Sequence, residues 1–329
     1  MNVLVTGGAG YIGSHAVKML LADNHNVIVI DNLSKGFRQA VDDNAIFYHE
    51  DIKNVEAVTS ILHNHNIETV IHFAAFSLVG ESMSNPLKYY DNNVYGTQKL
   101  LEAMNNASVK NVIFSSTAAV YGEQETYPIH EDMLETPTNT YGETKLTIEK
   151  MMKWADQAHD IKYIALRYFN VAGAYHTSLI GEAHNPETHL IPLVLQVPNN
   201  KRSHISIYGN DYPTKDGTCV RDYIHIEDLI NAHILAMKHL SKTNISDYFN
   251  LGSGEGYSVL EIIEQARQIT NHEIPSKIEG RRSGDPATLI ASSKKAESIL
   301  KWTRTKSLKD IIESAWKFHK IHKEGYHDL

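Results

Sequence analysis

Val3-Leu4-Val5-Thr6-Gly7-Gly8-Ala9-Gly10-Tyr11-Ile12-Gly13 runs from a short apolar strand through a glycine-rich turn into the start of a helical pattern. Each glycine of the 7, 10, 13 series has its own task. Gly7 permits the tight turn, Gly10 lets backbone approach a pyrophosphate closely, and Gly13 allows helix and strand to pack, while the helix N-terminal amides face the anion. The spacing alone would also fit a plain tight turn. Here it follows a strand, opens a helix and is answered by Asp31 at the end of the second apolar run, Val27 to Ile30. An acid about 20 residues on bonds the adenosine ribose hydroxyls of a bound dinucleotide and disfavours a 2'-phosphate, so the expected cofactor is NAD. A turn-capping role before Asn32 is the bland alternative for Asp31. Asp51, ending the third run, either borders the adenine or caps the next helix.

Outward from this loop, apolar runs at Ile46 to Tyr48, Thr69 to Ala75, Val112 to Ser116 and Tyr163 to Phe169 alternate with helical patterns. The helices are expected near Leu87 to Ala107, entered by Pro86, and near Asn139 to His159. Strands so uniformly apolar are buried on both faces. The fold expected is α/β, a Rossmann-type doubly wound parallel sheet with a smaller C-terminal α/β substrate lobe. Residues 1–170 form the NAD-binding part and residues 171–329 mainly the second lobe. Strand-like runs at Tyr223 to Ile226 and Tyr248 to Leu251 suggest that 218–250 returns to the first sheet.

With 329 residues, 42% hydrophobic and 21% charged, the chain can bury a full core. A net charge of -8 argues against a nucleic-acid footprint, so a small anionic ligand must be met by locally clustered cations. Cys219 is the lone cysteine, and no leader-like or spanning apolar run follows Met1. The expectation is a cytoplasmic protein with no membrane partner. The histidines show no convincing metal-binding spacing and no metal is expected; His319, His322 and His327 read as solvated C-terminal side chains.

Tyr141-Gly142-Glu143-Thr144-Lys145 places a phenol and an ammonium four residues apart on one helix face. A solvated amphipathic pair is the common reading of such spacing. A nearby ammonium also favours phenolate, however, and the pair then suits proton transfer to and from an alcohol.

Together with the glycine loop and Asp31, this pair makes the chain resemble the extended short-chain dehydrogenase/reductase family over nearly its whole length. Within it, the chain is similar to the nucleotide-sugar 4-epimerases. Val3 to His15, Tyr90 to Thr97 (YDNNVYGT), Phe114 to Gly122 (FSSTAAVYG), Leu166 to Asn170 (LRYFN) and Tyr208 to Ile226 (YGNDYPTKDGTCVRDYIHI) carry the resemblance. It implies that Tyr141 is the catalytic base, that Lys145 tunes it and holds the nicotinamide ribose, and that Thr117 bonds the substrate hydroxyl. It implies cofactor contacts from Gly7, Gly10, Tyr11, Ile12, Gly13, Asp31, Asn32, Asp51, Ile52, Phe73, Ala74, Ala75, Asn92, Tyr141, Lys145 and Phe169. Substrate contacts would come from Thr117, Tyr141, Asn170, Leu190, Tyr208, Arg221, Arg282, Asp285 and Leu289. Chemistry agrees for the diphosphate, since Arg221 and Arg282 can offer forked donors to phosphate oxygens.

The implied reaction interconverts UDP-galactose and UDP-glucose through a 4-keto sugar, a step of galactose metabolism, with the two long helices forming a homodimer interface. Ala118 and Ala119 set the chain apart from the related 4,6-dehydratases, which carry an Asp-Glu pair there. His189 stands where many members have asparagine, and Phe76-Ser77 where leucine-lysine is common. Leu289, expected to wall the sugar pocket, is of intermediate size. A 4-epimerase acting also or mainly on N-acetylated UDP-sugars stays open, and so does a non-catalytic NAD-sensing scaffold.

Overall fold

The structure is a computed structural model and describes residues 1–282 and 286–328. Six strands are met first along the chain: β1 (Asn2–Thr6), β2 (Asn26–Asp31), β3 (Ile46–His49), β4 (Thr69–His72), β5 (Asn111–Ser115) and β6 (Lys162–Tyr168). With Asp247–Leu251 they build one parallel sheet of seven strands, in the order 247–251, β6, β5, β4, β1, β2, β3. The strand order reverses between β1 and β4. At such a switch point the loops at the carboxyl ends of two neighbouring strands part to opposite faces and leave a crevice.

The apolar runs explain why both faces are covered. Val3 and Val5 of β1 and Val27 and Val29 of β2 face a core shared with the helices Tyr11–Ala22 and Ile226–Thr243. Leu4, Ile28 and Ile30 face the opposite core, with the helices Val55–Asn64, Gly96–Asn106 and Thr140–His159. The period-2 alternation of a strand sorts one continuous apolar sequence into two layers, each fully buried side chain contributing about 1.5–3 kcal/mol. The helix Thr140–His159 starts where expected because the Asn139 side chain accepts the Gly142 amide at 2.9 Å.

Three expectations are corrected. The helix expected over Leu87 to Ala107 begins as Pro86–Tyr89, passes through a π-helical turn at Tyr90–Tyr95 and continues as Gly96–Asn106. In the π turn Asn93 is buried and clips the loop after β4, accepting from the Phe76 amide at 2.8 Å and donating to the Phe76 carbonyl at 3.0 Å. Secondly, within 218–250, the helix Ile226–Thr243 and the strand Asp247–Leu251 pack with the central sheet, but Val220–His225 does not. The place beside β6 is taken by Asp247–Leu251, and Val220–His225 pairs instead with Gly256–Ser258, Thr288–Leu289 and Asn170–Ala172. The buried Asp222 carboxylate holds it there, accepting the amides of Ser253, Gly254 and Ala291 at 2.6, 3.1 and 3.0 Å. Thirdly, His319 and His322 pack against Phe318 with their Nε2 atoms buried, and are not solvated.

A third core gathers Ile191, Val194, Ile205, Ile262, Ile263, Ile311 and Ile312 beneath the small sheets. The helices Val259–Thr270 and Leu308–Ile321 both open on serine capping boxes, at Ser258 and Ser307. No helix among the described residues is long and apolar enough to cross a membrane.

Arg167 on β6 is fully buried and fixes the far side of the sheet to the helix Thr140–His159. Its Nε donates to Glu149 at 3.0 and 3.2 Å, its Nη1 to Tyr121 at 2.9 Å, and Tyr121 passes a hydrogen bond on to Asn250 at 2.7 Å. Arg167→Leu leaves the Glu149 carboxylate buried without its cation and should cost roughly 3–5 kcal/mol in urea unfolding. Pairing it with Glu149→Gln should recover part of that loss.

Candidate active site

A cleft of about 590 Å³ opens at the carboxyl ends of β1, β2 and β4. Of the expected cofactor residues, Gly7, Gly10, Asp31, Asn32, Asp51, Ile52, Phe73, Ala74, Ala75 and Asn92 line it, joined by Ser34, Lys35 and Gly36 from a polar loop that sequence reasoning passed over. A Cβ on Gly13 would fall 2.1 Å from the Gly7 carbonyl oxygen, so this glycine is demanded by the turn itself. Gly10 differs. A Cβ there would meet only that same carbonyl, at 3.4 Å, and Gly10 lines the cleft, so its bareness serves whatever lies in the cleft. Gly10 caps the helix Tyr11–Ala22 with no side-chain cap and no acid in the first turn, which leaves the leading amides for an anion.

The buried Asp31 carboxylate accepts the Ala9 amide at 3.0 Å and the Leu33 amide at 2.8 Å. It thus braces the glycine loop, caps its own turn and still borders the cleft. Burial lifts its pKa above the ordinary value, against those two hydrogen bonds. Asp51 accepts from the Asn32 side chain at 3.1 Å and caps Lys53 at 2.8 Å. These features fit a dinucleotide with free adenosine ribose hydroxyls. Tyr11 and Ile12 stand outside the cleft lining, and the Tyr11 hydroxyl donates to the Gly173 carbonyl at 2.7 Å.

Further along the same edge, Thr117 follows β5, and its hydroxyl lies near enough to the Tyr141 phenol to pull the phenol's pKa down. Lys145 is buried one helical turn on. Its Nζ donates to the Ser115 carbonyl at 2.7 Å and lies 5.9 Å from the Tyr141 ring centroid. Burial pushes the Tyr141 phenol up to about 12, against the pull of Thr117, and draws Lys145 down to about 7, against the charge of Glu149. The downward pull of the ammonium on the phenol, expected from sequence, does not decide the shift in the protein alone; desolvation does. Glu149, one turn beyond Lys145 on the same face, was missed by sequence reasoning; the continuing i, i+4 spacing was the available signal.

The second lobe meets this edge. Leu289 and Phe169 both pack on the cluster of Val120, Tyr121, Ile129 and Leu146, immediately after Thr117 in the fold. Leu289 is in register with Arg221 on the neighbouring strand, and Asn170 with Tyr223. Arg221 Nη1 donates to the carbonyls of Val220 and Pro286 at 2.9 and 2.8 Å. The Arg282 guanidinium carbon sits 3.8 Å above the Tyr208 ring centroid, occupying one face of that ring. Leu190 begins a short helix, Leu190–Leu195. Asp285 lies outside the described residues.

Residues 3–252 match the model of the NAD dependent epimerase/dehydratase family. The UDP-glucose 4-epimerase of Halalkalibacterium halodurans is 55% identical over 327 residues, covering 99% of this chain and 98% of that protein. A crystal structure of UDP-glucose 4-epimerase superposes with a TM-score of 0.97 at 52% identity, covering 99% of both chains. The UDP-glucose 4-epimerase of Stenotrophomonas maltophila, solved with bound NAD and formylated UDP-arabinopyranose, gives 0.96 at 39% identity, covering 98% of this chain and 99% of that one. On the cleft, the phenol-ammonium pair and these full-length matches together, the chain belongs to the NAD dependent epimerase/dehydratase family.

Proposed function

We propose that this protein interconverts UDP-galactose and UDP-glucose by reversible oxidation at C4, with NAD in the cleft. One observation carries the reading beyond the family: the buried Thr117 and Lys145 stand with the half-buried Tyr141 at the carboxyl edge of the sheet, and Leu289 of the second lobe packs on the cluster that follows Thr117. Bound NAD would supply the hydride acceptor for the oxidation and the hydride donor for the reduction that follows it.

The chain's own residues manage the proton and the grip. Thr117 orients the sugar 4-hydroxyl, and Tyr141 takes its proton and later gives it back to the same oxygen. The protein alone holds the phenol high, so phenolate forms only when cationic charge gathers next to it. Lys145, fixed by the Ser115 carbonyl, is placed to supply part of that charge and to hold the nicotinamide ribose. Inversion requires the 4-keto ring to present its opposite face while the nucleotide stays put. Binding energy is therefore best concentrated on UDP, through Asn170, Leu190, Tyr208, Arg221, Arg282 and Asp285, and kept low on the sugar. Leu289 closes the sugar side with a side chain of intermediate size, so N-acetylated UDP-sugars form the second reading. An NAD-sensing scaffold would have no use for a hydroxyl, phenol and ammonium in one cluster.

The helices Gly96–Asn106 and Thr140–His159, with the segment leading into the first, are also the proposed homodimer face. Leu87 and Trp154 are 79% and 68% exposed there. Sedimentation should show a dimer, and Leu87→Asp combined with Trp154→Glu should shift it to monomer.

Purified protein should turn over UDP-galactose without added NAD, since the cycle has no net redox change; stoichiometric consumption of supplied NAD would instead mark a dehydrogenase. Running the assay on both the plain and the N-acetylated sugar pairs decides between the two readings. Tyr141→Phe should lower kcat by about 10²–10⁴-fold with bound cofactor and thermal midpoint nearly unchanged. Near wild-type turnover in that variant would sink Tyr141 as the base.

A further inference from the structure

Four side chains converge on the irregular segment that leads into the helix Leu190–Leu195. Glu182, His184, Glu187 and His189 each place one donor atom within 4.8 Å of all the others. His184 Nδ1 lies 3.1 Å from Glu182 Oε1 and 3.8 Å from Glu187 Oε1, and His189 Nδ1 also meets Glu182 Oε1. A tetrahedral ion with bonds of about 2.0–2.2 Å needs donors roughly 3.4 Å apart, a separation these distances straddle.

Several features separate this cluster from an ordinary group of surface acids. The Glu182 carboxylate is only 3% exposed, so water does little to stabilise its charge. Glu187 Oε1 is fixed by the amides of Thr188 and His189 at 2.7 and 2.8 Å, the kind of outer contact that orients a ligand. The His184 ring is held edge-on to Tyr11 and His189, with centroids 6.0 and 5.1 Å away. From the helix Leu308–Ile321, His319 feels the charge of both carboxylates, and its Nε2 is buried with no hydrogen-bond partner among the described residues. Against burial, the two carboxylates hold His184 and His189 above the ordinary imidazole pKa, so two imidazoliums balance them in the metal-free protein; with both rings deprotonated the cluster carries -2, which one dication cancels.

We propose that Glu182, His184, Glu187 and His189 form a structural site for a borderline transition-metal dication of the zinc type. Mixed imidazole and carboxylate donors favour such an ion over magnesium or calcium, which prefer oxygen alone. All four positions are filled by protein, so the site leaves no room for a reactive water and is separate from the proton chemistry of Tyr141. Binding the ion displaces the ring protons of both His184 and His189 to solvent, and the His189–Glu182 contact widens to admit it. Its place is mechanical. It clamps the segment running into Leu190 against Tyr11, and so ties the second lobe to the helix that follows the glycine loop.

The test uses untagged full-length protein, stripped with a chelator and dialysed against zinc or magnesium salts, with bound metal measured by elemental analysis. About one zinc per chain, and no magnesium, is expected. His184→Ala and Glu182→Gln should each reduce zinc to background, while His63→Ala, on an exposed helix face, should retain it. Excess zinc should raise the thermal midpoint of the wild type by roughly 4 °C and leave that of His184→Ala unmoved. Should Glu182→Gln fail to fold, His189→Ala takes its place, since that side chain is half exposed. Absence of stoichiometric zinc in the wild type, or equal uptake and equal thermal shift in the variants, overturns the proposal.

Discussion

Burying an ammonium group is among the costlier things a fold can do, and here the rest of the site is arranged around one. Lys145 lies within the layer between the sheet and the helix Thr140–His159, donating to the carbonyl of Ser115 at 2.7 Å, with Glu149 one turn away as its stabilising charge. Glu149 in turn needs Arg167, and Arg167 stacks on Tyr121 and Tyr248 with its cation 5.0 and 4.3 Å from their ring centroids. A helix face of phenol, ammonium and carboxylate is thereby keyed to β5 and β6.

The same arrangement explains why the phenol is poised and not simply ionised. Desolvation raises Tyr141 and lowers Lys145 together, so each alone favours its neutral form. A charge entering next to them then acts through a poorly screening medium and shifts both groups more than it would at a surface. On the proposed function, proton transfer at Tyr141 is coupled in this way to occupancy of the neighbouring cleft.

Local chemistry made much of this legible in the sequence. The run Val3 to Gly13 announces strand, turn and helix because each glycine answers a constraint within a few residues, and Asn139 marks its helix start by a cap. Uniform apolar strands said that both faces of the sheet would be covered. Val220–His225 was misplaced because strand pairing is decided by distant partners, here the amides collected by Asp222. The π turn was invisible because Tyr90 to Asn106 keeps a helical pattern on both sides of it. Burial, not spacing, sets the direction of the Tyr141 shift, and no pattern displays burial of a single phenol. Glu182, His184, Glu187 and His189 follow neither helical nor strand periodicity, so only the folded loop brings them together. Tyr141 and Lys145 were singled out because spacing and the resemblance agreed, and Thr117 by the resemblance, whereas Ser34, Lys35 and Gly36, which line the cleft, sit in a polar stretch that reads as any loop.

The π-helical turn at Tyr90–Tyr95 fixes how this part of the chain can change in length. Such a turn holds one residue more than an α-helical turn, and the surplus lets Asn92 reach the cleft while Asn93 points inward to Phe76 and Thr144. Deleting a single residue there would turn the π segment into a regular α-helical turn and remove the surplus, and the two asparagines would no longer reach the cleft and Phe76 at once. Substitutions can accumulate along this helix, but its residue count cannot drift, and a pairwise alignment through it should carry no gap.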